Sequence, residues 1–234
     1  MSRPVILCNT LHTSEEEWLA RRMDGIGGSD AAVAIGESPY SSPVKLWLEK
    51  TGQVPPDDLS DNEKVQIGKE IEDFIAGLYV KRTGHKIRRR NAIFQHPEYK
   101  FMFANVDREM IGKNEGVEIK NVGLNQAKYW QNDEIPDTYF IQIQHYCAVM
   151  NWEGCHVAAL VGGQHFITKY VPRDDNFIAW MIKKEAAFWQ HVIDGTMPAI
   201  DGSESCGKVL ERLHPKENGQ TVEIPQKAKQ WLLV

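Results

Sequence analysis

The sequence predicts a mixed α/β domain, α+β-like in its grouping, with a small central sheet and helices before and after it. Three observations carry this. Helix-period segments with recognisable caps fill the chain up to Gly84. Short β-rich or alternating segments bounded by turn residues fill 86–120. A glycine-centred hairpin and two further helical segments follow. At 234 residues, 42% apolar and 25% charged, the chain is one large domain, or one domain with an extension, and can bury a sizeable core.

Ser14 precedes EEEWLARRM, a cap residue followed by acids in a first turn, so a helix covers about 15–23. The glycine-rich turn GIGGSD then feeds a short apolar helix, AAVAI. Ser42-Pro43 opens a helix over VKLWLEKT, closed by Gly52. QVPPDDLSDNE is a loop, and an amphipathic helix runs from about 62 to 83. Lys86–Phe94, Phe101–Val106 and Gly116–Lys120 read as strands. Asn125–Asn132 and Pro136–Met150 read as helices. Cys155–Val161 and His165–Val171 form a hairpin around Gly162-Gly163. Arg173–Ile193 is a long aromatic-rich helix. From Met197 the chain is polar and rich in Pro and Gly, and PQKAKQWLLV reads as the start of another helix. The expected division is a functional domain over 1–200 and a C-terminal tail over 201–234, which could be the start of a missing extension.

The net charge of −5 argues against a protein that coats nucleic acid non-specifically, but leaves room for a local basic groove. Lys81–Arg90, KRTGHKIRRR, is such a local excess. It is either a solvated helix end and strand or a rim that tracks DNA phosphates. No apolar run is long enough to span a bilayer, and the N-terminus lacks the pattern of a signal peptide. Four cysteines, at 8, 147, 155 and 206, are too sparse for a disulfide framework, which points to a reducing cytoplasm. Their spacing also lacks the close C-x-x-C group of a cluster. The eight histidines show no H-x-x-x-H pair, so zinc is not indicated. His145 reads as a packing residue or one that lines the site; Trp130, Trp152, Trp180 and Trp189 read as core or interface residues, one of which could wedge DNA strands apart; and GIGGSD lacks the lysine of a nucleotide P-loop.

The segment ANVDREMIGKNEGVEIKN concentrates the chemistry. Asp107 ends one strand, and a glycine-containing turn leads to Glu118 and Lys120, two apart on the next strand and so on one face. Antiparallel pairing would bring Asp107 beside them. Two carboxylates can hold one or two Mg²⁺ ions through oxygen, and a lysine can orient or deprotonate an attacking water. A solvated hairpin with a cross-strand ion pair gives the same pattern. Glu72, in the amphipathic helix beside Ile71, Ile75, Leu78 and Tyr79, is either a surface acid or a further metal ligand. Ser29 lies in a glycine-rich turn at a helix start, where backbone N–H groups favour an anion. Arg22 can add a bidentate clamp.

The ordered blocks RRMDGIGGSDAAVAIGESPY, SPVKLWLEKTG, IGKEIEDFIAGLYVKRTG, FANVDRE, VEIKN and YFIQIQHYCAVM resemble the YqaJ-type viral recombinase and phage lambda exonuclease family of the PD-(D/E)XK nuclease superfamily. The resemblance runs from about Trp18 to Trp189. It implies a restriction-endonuclease-like core, a curved mixed sheet with helices on both sides. It also implies Mg²⁺-dependent 5′→3′ exonuclease action on linear double-stranded DNA, with Mn²⁺ as a substitute. Asp107 and Glu118 match the metal-binding acids, Lys120 the catalytic lysine, and Ile119 a ligand through its backbone carbonyl. Glu72 matches the helical acid that completes the site, Tyr139 and Gln142 the Tyr-x-x-Gln pair beside it, and Arg22 and Ser29 the receptor of the terminal phosphate.

The pattern departs from the family at Val106, where a proline is usual, and at Arg108, where a glycine is usual. The resemblance further implies a phage-type single-strand annealing partner for the 3′ overhangs, a homo-oligomeric ring such as a trimer, and a phage or prophage protein in the bacterial cytoplasm. Two other classes stay open on the residues alone: an endonuclease or structure-specific nuclease with the same chemistry, and a non-catalytic DNA-binding recombination protein.

Overall fold

The computed structural model describes residues 3–130 and 134–213. Its elements are β1 (Val5–Asn9), α1 (Glu15–Met23), α2 (Gly28–Ala34), α3 (Pro43–Lys50), α4 (Glu63–Thr83), β2 (Ile87–Arg89), β3 (Ala92–Gln95), β4 (Phe103–Ala104), β5 (Arg108–Met110), β6 (Glu115–Val122), a 3-10 helix (Leu124–Trp130), α5 (Asp137–Met150), β7 (Gly154–Val161), β8 (His165–Pro172), α6 (Asp175–Asp194) and α7 (Glu204–Leu213).

The caps form as the residue types require. Ser14 Oγ accepts from the Glu17 N–H, and the Glu17 carboxylate accepts from the Ser14 N–H, so two orphan donors of α1 are satisfied reciprocally. Ser42 caps α3 with Pro43 in its first turn. Gly84 ends α4 with φ +73°, a left-handed conformation that glycine adopts without a Cβ penalty.

Five strands form a mixed sheet in the order β2-β5-β6-β7-β8. All its pairs are antiparallel except β6–β7, which run parallel. The crossover between those two passes through the 3-10 helix and α5, the length a parallel connection needs. On one face, Ile75, Ala76 and Tyr79 of α4 pack on Val117, Ile119, Ala158 and Leu160. On the other, α5 buries Ile143, Cys147 and Ala148 with Val157, Ala159 and Val161. Helices thus cover both faces, as the predicted fold class requires. A third cluster, with Val44, Leu46, Trp47 and Leu48 at its centre, joins α3 to α6 and α7. Among the described residues, no helix is long and apolar enough to cross a membrane.

Three element expectations are corrected. Lys86–Phe94 is not one strand: β2 pairs with β5, whereas β3 pairs with β1 and β4 in a separate three-stranded sheet. The reason is burial. Ala92, Ile93 and Phe94 are all inside, and Ala92 and Phe94 join the core under α5, so this stretch is not a half-exposed alternating strand. Phe101–Val106 contributes only Phe103–Ala104 to a sheet. The Asn125–Asn132 helix is a 3-10 helix over Leu124–Trp130, and 131–133 lie outside the described residues. Two elements are additions. The N-terminal apolar patch forms β1, and the tail carries α7, whose Cys206 and Val209 are buried against α3 and α6. The helix start expected in PQKAKQWLLV lies outside the described residues.

Candidate active site

The acidic centre is built by the β5–β6 hairpin. Arg108 pairs with Val117 across it, so Asp107, directly before β5, faces the strand position that Glu118 and Ile119 occupy. Asp107 Oδ2 accepts from the Ile119 N–H at 2.8 Å. Lys120 Nζ donates to Glu118 Oε1 at 2.6 Å and to Gln142 Oε1 at 3.1 Å. Gln142 Nε2 in turn donates to Glu118 Oε1 at 2.9 Å and reaches Tyr146 Oη at 3.0 Å. The ring of Tyr139 lies 4.7 Å from Lys120 Nζ, within cation–π range. Asp107, Glu118 and Lys120 therefore converge, as their spacing predicts, and Gln142 and Tyr139 stand beside them, where the family resemblance implies.

The electrostatics are those of an incomplete charge set. Burial, and next the neighbouring Glu118, push the Asp107 carboxyl well above its usual range, against the pull of Lys120 and the Ile119 N–H. Burial alone would lower the Lys120 pKa, but Glu118 and Asp107 outweigh it and raise it. A buried Glu118 and a half-buried Asp107 share one lysine, so the donor set suits a cation with hard oxygen preferences. Carboxylate oxygens of Asp107 and Glu118 border both clefts that meet here.

Glu72 borders the same cleft as Asp107, Glu118, Ile119 and Lys120. Its Oε1, however, receives Arg108 Nη1 at 2.6 Å and Arg89 Nη2 at 3.2 Å. Among the described residues, no cluster of three or more acids, histidines or cysteines is arranged as a metal cage. The Arg108 departure thus has a structural place: the side chain is buried, bonding Glu72, Asp73 and the Asp107 carbonyl. The basic run is similarly spoken for in part. Arg88 and Arg90 meet Glu109, and Arg89 meets Glu72 and Asp73.

Arg22 and Ser29 meet across the α1–α2 turn, with Arg22 Nη2 donating to Ser29 Oγ at 2.9 Å. The Trp18 ring lies 4.9 Å from the Arg22 guanidinium carbon. These three, Asp107, Glu118, Gln142 and Tyr146 line one cavity of about 200 Å³. That is below the ~300 Å³ floor for drug-sized pockets. Gly28 has a packing role beyond the anion-approach role read for this turn. A Cβ there would sit 2.3 Å from the Tyr146 ring, so the missing side chain lets α2 lie directly on α5.

Sequence reasoning missed Trp18, Tyr146, Asp30 and Lys50. Trp18 lies four residues before Arg22, and Tyr146 four after Gln142, so helical spacing could have flagged both. Lys50 and Asp30 carry no such signal. Their pairing joins α3 to α2, which only the fold provides. His145 is fully buried between Glu185 and the Phe103 carbonyl, a packing role as expected. Cys147, Cys155 and Cys206 are buried thiols, and Cys8 is half-buried. Burial pushes the Cys147 thiol up to about 12, so it stays protonated.

A mixed sheet carrying two acids and a lysine on adjoining strands, with helices on both faces, defines an α/β domain with one acidic centre. The sequence profile of the YqaJ-like viral recombinase domain matches residues 17–153, and the chain belongs to that family. It is 37% identical to the YqaJ protein of Bacillus subtilis, over 99% of this chain and 75% of that protein. Among solved structures, an alkaline exonuclease from Laribacter hongkongensis superposes with a TM-score of 0.64 at 16% identity, covering 86% of this chain and 98% of that one. A phage-related exonuclease from Haemophilus somnus gives 0.54 at 14% identity, covering 73% and 94%. At such identities the two structures establish the shared fold.

Proposed function

We propose that the protein is a Mg²⁺-dependent 5′→3′ exonuclease acting on linear double-stranded DNA. It would leave 3′ overhangs for a phage-type single-strand annealing protein in a host-cell cytoplasm. One observation carries the reading: Arg22 and Ser29 open into the same cavity as Asp107 and Glu118. A receptor for a terminal phosphate beside the cutting centre suits an enzyme that starts from ends. A continuous duplex would have no terminal group to place there.

In this reading Asp107, Glu118 and the Ile119 carbonyl hold one or two divalent ions, with Mn²⁺ able to replace Mg²⁺. Glu72 borders the ligand set and would act through the oxygen that its arginine partners do not occupy. The ion supplies Lewis-acid polarisation of the phosphodiester and lowers the pKa of water. Lys120, fixed by Glu118, Gln142 and Tyr139, orients the attacking water and offsets charge on the phosphorus. Gln142 holds Lys120 and Glu118 in register through its two amide ends. Arg22 and Ser29 hold the 5′-terminal phosphate. Residues 1–200 are read as the nuclease unit and 201–234 as a tail whose α7 packs on that unit through Cys206 and Val209.

A closed ring of copies, such as a trimer, would keep a chain of net charge −5 on a polyanion by topology rather than bulk attraction. The deciding assay compares linear with covalently closed circular duplex, with and without Mg²⁺. Loss of linear DNA alone, only with metal, is the expected outcome. Digestion of closed circles would replace the reading with an endonuclease, and no digestion of either would leave a DNA-binding protein.

A further inference from the structure

Behind the Arg22–Ser29 pair lies a buried charge arrangement that the reaction chemistry does not use. The Lys50 side chain is only 1% exposed. Its Nζ donates to Asp30 Oδ2 at 2.8 Å and to the Arg22 carbonyl at 2.7 Å. The other Asp30 oxygen, Oδ1, lies 3.5 Å from Arg22 Nη2 and 3.5 Å from Ser29 Oγ. Asp30 Oδ2 also accepts from the Gly27 N–H at 3.2 Å. One carboxylate therefore stands directly against the two side chains that receive an anion.

A carboxylate in that place works against an anion receptor. It competes with the incoming phosphate for the guanidinium, and it repels the phosphate. Lys50 is too deep to touch a ligand in the cavity, and its charge falls on Asp30 instead. With Lys50 present the Arg22–Asp30–Lys50 group carries one net positive charge, and without it none. Lys50 also grips the main chain at Arg22 itself, which fixes the root of the arginine at the end of α1.

We propose that Lys50 is a positioning residue for the anion pocket. By neutralising Asp30 it leaves Arg22 free to bind a terminal phosphate, and it thereby sets the preference for phosphorylated ends. This rests on the proposed end-recognising function. Asp30 has a use of its own in this scheme. It caps Gly27 and so fixes the turn from which Ser29 projects. The buried lysine lets that capping acid be present without blocking the ligand.

The test uses the purified full chain with Mg²⁺ and 3′-labelled linear duplex bearing either a 5′-phosphate or a 5′-hydroxyl. Wild type is expected to prefer the phosphate. Lys50→Met should lower that preference by about tenfold, the scale of one unit charge removed at short range, through KM for the phosphorylated end more than through kcat. Asp30→Asn keeps the volume and the acceptor for Gly27 while adding one net positive charge, so the preference should rise above wild type. A merely structural lysine predicts no such opposite shifts. If Lys50→Met fails to fold by circular dichroism, Asp30→Asn alone decides: a preference that stays level or falls overturns the proposal. A folded Lys50→Met with the wild-type preference overturns it as well, leaving the pocket assignment intact. No preference in wild type removes the terminal-phosphate reading itself, and this proposal with it.

Discussion

Arg22 Nη2 and Ser29 Oγ lie 2.9 Å apart, although they sit on different helices with three glycines between them. The contact exists because α1 ends where the turn lets α2 fold back, and because Gly28 rests on the Tyr146 ring rather than displacing it. That places both side chains in the wall of the cavity that Asp107 and Glu118 also line.

Arg22→Ala should therefore erase most of a preference for 5′-phosphorylated over 5′-hydroxyl duplex while leaving cutting intact. A charge-assisted contact of this kind contributes about 1.5–3 kcal/mol, or roughly ten- to a hundredfold in the rate ratio. Initial rates on the two substrates measure it. An undiminished ratio would place the phosphate receptor elsewhere.

Gly28→Ala should disturb the same pocket from behind. The added methyl meets the Tyr146 ring at 2.3 Å, so α2 must move off α5, at a cost of about 1–3 kcal/mol for overpacking. Urea unfolding should show the lost stability, and the end preference should fall with it because Ser29 rides on α2. A variant as stable and selective as wild type would show that the turn has slack.

Asp107→Ala and Glu118→Ala should each leave less than about a tenth of wild-type turnover, since an absent oxygen ligand cannot be replaced without moving the ion. DNA affinity, measured in Ca²⁺ by filter binding, should persist because phosphate contacts elsewhere supply it. Substantial turnover in either variant would remove that acid from the site.

Lys120→Ala should lower kcat far more than DNA affinity, the signature of a group that acts in the transition state. Equal losses in both would make Lys120 an ordinary phosphate contact. The separation is clean because Gln142 still reaches Glu118 through its Nε2.

The His145–Glu185 pair predicts a pH dependence of stability. Both ring nitrogens of His145 face oxygen, Glu185 Oε1 and the Phe103 carbonyl, each at 2.9 Å, an arrangement that favours the protonated ring. Burial works against that charge, but Glu185 and the Phe103 carbonyl more than offset it and raise the pKa above the usual 6.5. The contribution is thus fully present below pH 6.5 and is lost as pH rises through the folded-state value. Denaturant unfolding at a series of pH values should show that decline in wild type and not in His145→Gln. Glu185→Ala, which strands a buried cation, should cost about 3–5 kcal/mol.

The acidic centre was legible because it is local. Glu118 and Lys120 share a face by the two-residue period of a strand, and a short hairpin returns Asp107 to them. Helix caps at Ser14, Ser42 and Gly84 were legible for the same reason, since each is satisfied within a few residues. The break at Arg90–Asn91 was not, because local β-propensity is the same whether one sheet or two receive the strand. Helix α7 was hidden by its polar composition. Among the described residues, Cys206, Val209 and Leu210 carry its contact with α3 and α6, and α3 lies far from it in sequence.

By itself, then, the sequence determined which side chains could do phosphodiester chemistry and the family to which their order belongs. The tertiary structure alone decided how their charges are balanced. Arg108 and Arg89 meet Glu72 across 36 and 17 residues, Lys50 meets Asp30 across 20, and His145 meets Glu185 across 40. Charge acts through distance in space, and no spacing rule along the chain encodes a contact made by helices and strands that pack only after folding.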